Sequence, residues 1–293
     1  MRGYALRAAE LAGAVAGLAT AVLVLAAGCG LLGVAAAGGG GAVVAIVLAA
    51  VLVAIVFARC DRLALSAMLA RPVSEVEHPE LYRLVRELSK DGRLPVPRLY
   101  LSPAEQPNSF AVGRGPRSAA ICCTEGLLRV LDEAELRGVL GHEIAHVSGH
   151  DLLGSSMSAG LAAVITFPAT LARLARPGPA GSGLGALEHA LLLLFGPVAA
   201  VIVRLAVSQE REYRADAAGA LLSGDPVALA GALRKIDAGT AELALAPDGR
   251  RISVRHLMIA SPFRSEGLAR LFRTHPPAGE RIRRLEALAG YRR

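Results

Sequence analysis

From Leu11 to Val34 the chain carries no charged residue, and after a glycine break at Gly38 to Gly41 the run from Ala42 to Ala58 is uncharged again. Each run approaches the ~20 residues that carry a helix across ~30 Å of hydrocarbon, so the N-terminal part reads as a transmembrane hairpin. A cleaved leader fits less well, because the first run exceeds the ~7 to 15-residue apolar core of a signal peptide and a second run follows at once. The composition agrees: 53% of residues are hydrophobic and the mean hydropathy is +0.46, above an ordinary soluble domain. Arg2 and Arg7 precede the hairpin, Arg59 and Arg62 follow it, and the connecting loop holds only Gly and Ala. The positive-inside rule then puts both ends, and the bulk of the chain, in the cytoplasm.

Within that bulk, His142-Glu143-Ile144-Ala145-His146 fixes a second constraint. On an α-helix with ~3.6 residues per turn, two histidines four apart stack on one face, close enough to share a divalent ion, with Glu143 beside them to handle a water. The setting favours a helix. Asp132 followed by Glu135 forms a capping-box signature, and Leu136, Val139, Leu140, Ile144 and Val147 recur at helical spacing.

A hydrolytic zinc site needs a third protein ligand and one open position. One layout places a third histidine shortly after a glycine that ends the helix; Gly149 fits, but position 152 is Leu152, and His150 and Asp151 are out of register. The other layout takes a glutamate from a later helix, and Arg211-Glu212-Tyr213-Arg214-Ala215-Asp216 offers one. Glu212 would bind the metal. Asp216, one turn on, would accept the free ring N–H of a ligating histidine and fix its tautomer.

With Asn108-Ser109-Phe110-Ala111-x-Gly113 upstream and Thr274-His275-Pro276-Pro277 plus Arg281-Ile282 downstream, these motifs stand in one order across nearly the whole chain. In that order they resemble HtpX-type membrane-bound zinc metalloproteases, relatives of the CAAX prenyl endopeptidases. Two departures are Gln209, where members often carry Arg, and Ser109, where Ala is common. The resemblance implies a mainly α fold with a small β-sheet, in which integral membrane helices accompany a gluzincin-type zinc protease domain. It implies one Zn²⁺ per chain on His142, His146 and Glu212, with Glu143 as the catalytic base. By the same resemblance His275 and Arg281 are candidates to stabilise the oxyanion or hold substrate, a structural pairing with Glu210 or Asp216 being the alternative. Asn108 to Gly113, with Asn108 and Ala111 as its substrate-binding residues, would be an edge strand that pairs with an extended peptide.

The organisation expected is a hairpin over 1–62, a first protease part over 63–151, a second hydrophobic hairpin over 152–207 and a second protease part over 208–293. In the first protease part, a helix over His78 to Asp91 precedes short strands at Arg98 to Leu101, Ser109 to Val112 and Ser118 to Thr124. Over 152–207, the runs Leu152 to Ala172 and Ala190 to Val203 are uncharged. If His142, His146 and Glu212 share one ion they lie on one side of the bilayer, so the intervening region crosses an even number of times. A second hairpin is expected, the alternative being helices that cap the active site or lie in the interface.

The net charge is +7 and Lys90 and Lys235 are the only lysines. With 6 Phe, 5 Tyr, no Trp and no nucleic-acid module, the basic balance points to anionic lipid rather than nucleic acid. Cys122 and Cys123 are strand neighbours that should face opposite ways, and no disulfide framework appears. The function expected is a membrane-integrated endopeptidase of the cell membrane, catalytic side to the cytoplasm, acting on misfolded or damaged membrane proteins. The alternatives are a narrow processing protease for lipidated or prenylated peptides, and a non-catalytic scaffold. An intact Glu143 weighs against the scaffold, because metal binding alone needs no carboxylate there.

Overall fold

A computed structural model describes residues 50–149, 152–167, 169, 183–206, 208–244, 249–262 and 275–290, with positions 43, 44, 47 and 48. The first apolar run, His150 and Asp151, the charged turn at Arg173 and Arg176, and Thr274 lie outside the described residues.

Helix α1 covers 50–67. Strand β1 (Arg71–Pro72), helix α2 (Pro79–Asp91), strands β2 (Arg98–Ser102), β3 (Ser109–Val112) and β4 (Ala120–Thr124), and helix α3 (Glu125–Val130) follow. Next come α4 (Glu133–Ser148), α5 (Leu152–Ile165), α6 (Gly183–Ala206), α7 (Gln209–Ser223), α8 (Pro226–Glu242), the short α9 (Gly249–Val254) and α10 (Ala278–Gly290). The fold is mainly helical around one small sheet.

The sheet has the order β1-β2-β4-β3, with β2 and β4 parallel and the other two pairs antiparallel. Strand β3 is therefore an edge. Side chains alternate across it with the period of two that a strand requires. Phe110, Val112, Ala120 and Cys122 face one way, against Ala64, Leu65 and Met68 from the end of α1 and Val254 to Met258. Ala111, Ile121 and Cys123 face the other way, into a core with α2, α4 and α8. The two neighbouring cysteines thus enter different cores, and neither forms a disulfide.

Helix α4 starts where its sequence says. Asp132 accepts from the Glu135 backbone at 2.9 Å and the Glu135 carboxylate accepts from the Asp132 backbone at 3.0 Å, which satisfies two N-terminal donors reciprocally. Its Val139, Leu140, Ile144 and Val147 are buried, each worth roughly 1.5 to 3 kcal/mol relative to exposure.

A third cluster joins α1, α5 and α6 through Val56, Cys60, Met157, Leu161, Ala199 and Val203. The outer surface of these helices is apolar: Val51, Ile55 and Phe57 of α1 and Leu194, Val198 and Val201 of α6 are exposed. Among the described residues no helix is long and apolar enough to cross a membrane.

Candidate active site

Two helices that are distant in sequence build the site. Helix α4 brings His142, Glu143 and His146, and α7 brings Glu212 and Asp216. They cross at two glycines. A Cβ added to Gly141 would lie 2.8 Å from the Gly219 carbonyl oxygen, and one added to Gly219 would lie 2.6 Å from the His142 amide nitrogen. Any side chain at either position would hold the helices apart, so the glycines set the approach of the two sets of ligands.

At this approach the His142 and His146 Nε2 atoms are 3.2 Å apart, and their rings meet edge to face at 89°. Glu212 Oε2 lies 3.9 Å from His142 Nε2, and Glu212 Oε1 lies 3.7 Å from His146 Nε2. Among the described residues no other group of three His, Cys, Asp or Glu side chains is placed to hold a metal ion.

The donor set suits one divalent cation. Bonds of ~2.0 to 2.1 Å in a tetrahedral arrangement place ligand atoms about 3.3 Å apart, and the imidazole pair stands at nearly that spacing already. Asp216 Oδ1 lies 2.9 Å from His142 Nδ1, and a carboxylate at that distance favours the ring proton on that nitrogen and a lone pair on Nε2. A lone pair aimed at a second imidazole nitrogen and a carboxylate is stabilised by a cation between them.

Asp216 is itself held from behind. Arg281 grips it with two hydrogen bonds, Nε to Oδ2 at 2.8 Å and Nη2 to Oδ1 at 2.7 Å, and donates a third from Nη1 to the Ile259 carbonyl at 2.6 Å. Burial pushes the Asp216 carboxyl up, but the Arg281 charge and its hydrogen bonds, with those of His142, outweigh that and hold it at about 2. The guanidinium is buried and each of its three nitrogens donates within the protein, so it reaches Asp216 rather than a substrate pocket. Of its two expected partners the structure supplies Asp216 and not Glu210.

His275, expected as an oxyanion candidate, places Nδ1 3.1 Å from Glu212 Oε2. Burial raises the Glu212 carboxyl, yet His275, His146 and Arg281 together hold it well below the usual range. Tyr213, next in sequence, is packed with the Arg284 guanidinium 3.6 Å above its ring.

Glu143 is buried beside the two histidines. Burial raises its carboxyl above the ordinary value, against the lowering effect of His142, His146 and a hydrogen bond from Ser109. Ser109 Oγ donates to Glu143 Oε1 at 2.5 Å, while Oε2 is buried without a hydrogen-bond partner.

The motif around Asn108 divides its work. The Asn108 side chain donates to the Ala260 carbonyl at 3.0 Å and accepts from the Ser109 and Ala260 amides, so it anchors the 259–260 segment against β3. The edge strand is closed at both ends. Ser109 O accepts from the Ile259 amide at 3.0 Å, and the Gly113 amide donates to Ser156 Oγ at 3.0 Å. Alternation in an antiparallel ladder turns the backbone of 109, 111 and 113 to this outer side, which leaves the Ala111 N–H and C=O open between two occupied positions, among the described residues. Ala111 also lines a cleft with His146, Leu152, Ser155, Glu212 and His256.

His256 carries no signal of its own in the sequence, and Ser109 stands out only as a departure from the Ala common in the resembling family. The strand period does put Ser109 on the face turned to α4, a polar residue where Ala111 and Cys123 are core. His256 lies in a stretch without periodicity; its Nε2 lies 3.0 Å from the Ser155 carbonyl and 2.8 Å from Ser158 Oγ, and burial pulls its pKa down to about 4.

Residues 75–289 match the sequence model of peptidase family M48. Among similar proteins, one named "Protease HtpX homolog" from Kineococcus radiotolerans is 55% identical over 237 residues, covering 79% of this chain and 80% of its own. Proteins of the same name from Paenarthrobacter aurescens and Bifidobacterium longum are 50% and 45% identical, over 78% of this chain and 79% and 76% of theirs. The matched stretch holds every residue of the site, from Asn108 on the edge strand to Arg281 behind Asp216, and on this evidence the chain belongs to peptidase family M48.

Proposed function

We propose that this metallopeptidase is a membrane-integrated zinc endopeptidase that clears misfolded or damaged membrane proteins, with its active site on the cytoplasmic side. The observation that carries the reading is the convergence of His142, His146 and Glu212 beside a buried carboxylate, Glu143, that has one oxygen unpartnered.

His142, His146 and Glu212 would hold the zinc, which when bound polarises a carbonyl and lowers the pKa of its water to about 7. Glu143 takes the proton that the attacking water gives up and returns it to the leaving amine. Asp216 fixes the His142 tautomer, and Arg281 keeps Asp216 charged and oriented. We assign His275 to orienting Glu212, the group it touches.

The substrate would lie extended along β3. Its backbone would make one pair of hydrogen bonds to Ala111, because the positions to either side are already used by Ile259 and Ser156. A backbone grip of this kind reads no side chain, which suits a protease that acts on many unfolded segments. Placement in the bilayer is supported by the exposed apolar faces of α1 and α6, which flank the three-helix cluster with α5. The basic residues at both ends of the N-terminal hairpin support the orientation.

The test is Glu143→Gln in the full chain purified in detergent. The variant should bind about one zinc per chain and leave an unfolded membrane-protein substrate uncut. Cleavage equal to that of the parent protein would remove the reading.

A further inference from the structure

Resting on the zinc-peptidase reading, we infer that Ser109 is a positioning residue for Glu143: its hydroxyl occupies one carboxylate oxygen and leaves the other as the single atom that exchanges protons with substrate.

Four observations support this. First, the contact is short and shielded: Ser109 Oγ to Glu143 Oε1 is 2.5 Å, with both residues buried. An ionised carboxylate has no proton to give, so the hydroxyl donates, and a charge-assisted bond of this kind is roughly twice as strong as a neutral one. Second, Ser109 cannot drift. Its amide donates to Asn108 Oδ1 at 3.2 Å and its carbonyl accepts from Ile259 at 3.0 Å, so its backbone is held on the outer edge while β3 pairs with β4 on the inner one.

Third, the two oxygens of Glu143 are unequal. Oε1 is engaged and Oε2 is buried with no partner. A buried carboxylate oxygen without a donor is costly, and Oε2 is the one oxygen of Glu143 left to accept a hydrogen bond or a proton. Fourth, the strand that carries Ser109 also presents Ala111. The Ser109 and Ala111 side chains share a face, and their outward backbone groups share an edge, so a peptide pairing at Ala111 bears on the strand that positions the base. The χ angles of a glutamate leave its carboxylate free to swing, and one fixed oxygen removes that freedom before substrate arrives.

The experiment compares Ser109→Ala, Ser109→Thr and Ser109→Cys with the parent in the full detergent-solubilised chain, measuring kcat, KM and zinc per chain on one quenched-fluorescence peptide. Alanine should lower kcat by about 10- to 100-fold, with KM and zinc content unchanged. Threonine, which keeps the hydroxyl, should restore kcat to within a few-fold, and cysteine, a weaker donor, should fall between. A kcat that is the same for serine, cysteine and alanine overturns the inference. So does a loss that tracks loss of zinc or a rise in KM, because the serine would then be only structural. If the parent itself fails to cleave, or Glu143→Gln cleaves as well as the parent, it is the peptidase reading that fails.

Discussion

The crossing of α4 and α7 leaves no room for a side chain, and Gly219→Ala tests it. The added Cβ would sit 2.6 Å from the His142 amide nitrogen, 2.8 Å from its Cα and 2.9 Å from the Gly141 carbonyl carbon. All three are backbone atoms of the helix that carries the ligands, so no side chain can swing aside. Non-bonded carbon contacts settle near ~3.5 to 4.0 Å, and the helices must therefore part by roughly 1 Å. Overpacking of that size costs about 1 to 3 kcal/mol of stability. Its effect on the site is larger in kind. Metal–ligand distances tolerate about 0.2 Å, so moving Glu212 and Asp216 by several times that should weaken zinc binding by at least 10- to 100-fold, the range typical of damage to a ligand's supporting contacts. The assay is zinc affinity by competition with a chromogenic chelator, alongside the thermal midpoint, on the full chain in detergent. Gly279→Ala is the control, since the nearest atom to its added Cβ is a flexible Arg283 side chain at 3.9 Å. Parental zinc affinity in Gly219→Ala would refute the claim that this contact sets the ligand geometry.

Other consequences follow from the buried charges. Arg281→Met strips Asp216 of its counter-charge inside the protein and should cost about 3 to 5 kcal/mol, seen as a lower melting midpoint. Adding Asp216→Asn should recover part of that loss without restoring activity, because His142 loses its carboxylate. His256, at about 4 when folded against 6.5 when free, gives the chain an acid sensitivity. The unfolded chain takes up this proton first, so His256 makes no difference above pH 6.5 and lowers stability progressively as pH falls toward 4, by about 3 kcal/mol in all. Melting midpoints of parent and His256→Gln measured from pH 7.5 to 4 should therefore diverge, with the parent losing more; parallel curves would contradict a neutral buried His256.

What the sequence disclosed follows from which interactions are local. The start of α4 is written in Asp132 and Glu135 because a capping box spans only four residues. The strands at 98–102, 109–112 and 120–124 are legible from flanking turn residues, and the pairing of Glu212 with two histidines from its motif. The boundaries shifted slightly: β4 begins at Ala120 rather than Ser118, because Pro116 to Ser118 form a short 3₁₀ turn. The contacts that were not legible join segments far apart in the chain. Nothing near Ile259 announces that it closes the edge of β3, and nothing at Ser109 names Glu143 as its acceptor. Gly141 and Gly219 did leave a trace, since a glycine inside a helix costs about 1 kcal/mol relative to alanine and calls for a packing reason, but the partner helix is visible only in three dimensions.

X-ray absorption on the zinc-loaded chain addresses the metal centre most directly. Two imidazole nitrogens at about 2.0 to 2.1 Å and a carboxylate oxygen at about 2.0 to 2.2 Å are expected, with the imidazole shells kept and the carboxylate shell lost in Glu212→Ala. A sulfur shell at about 2.3 Å, or a spectrum that Glu212→Ala leaves unchanged, would place the metal elsewhere and contradict the assignment of His142, His146 and Glu212 as its ligands.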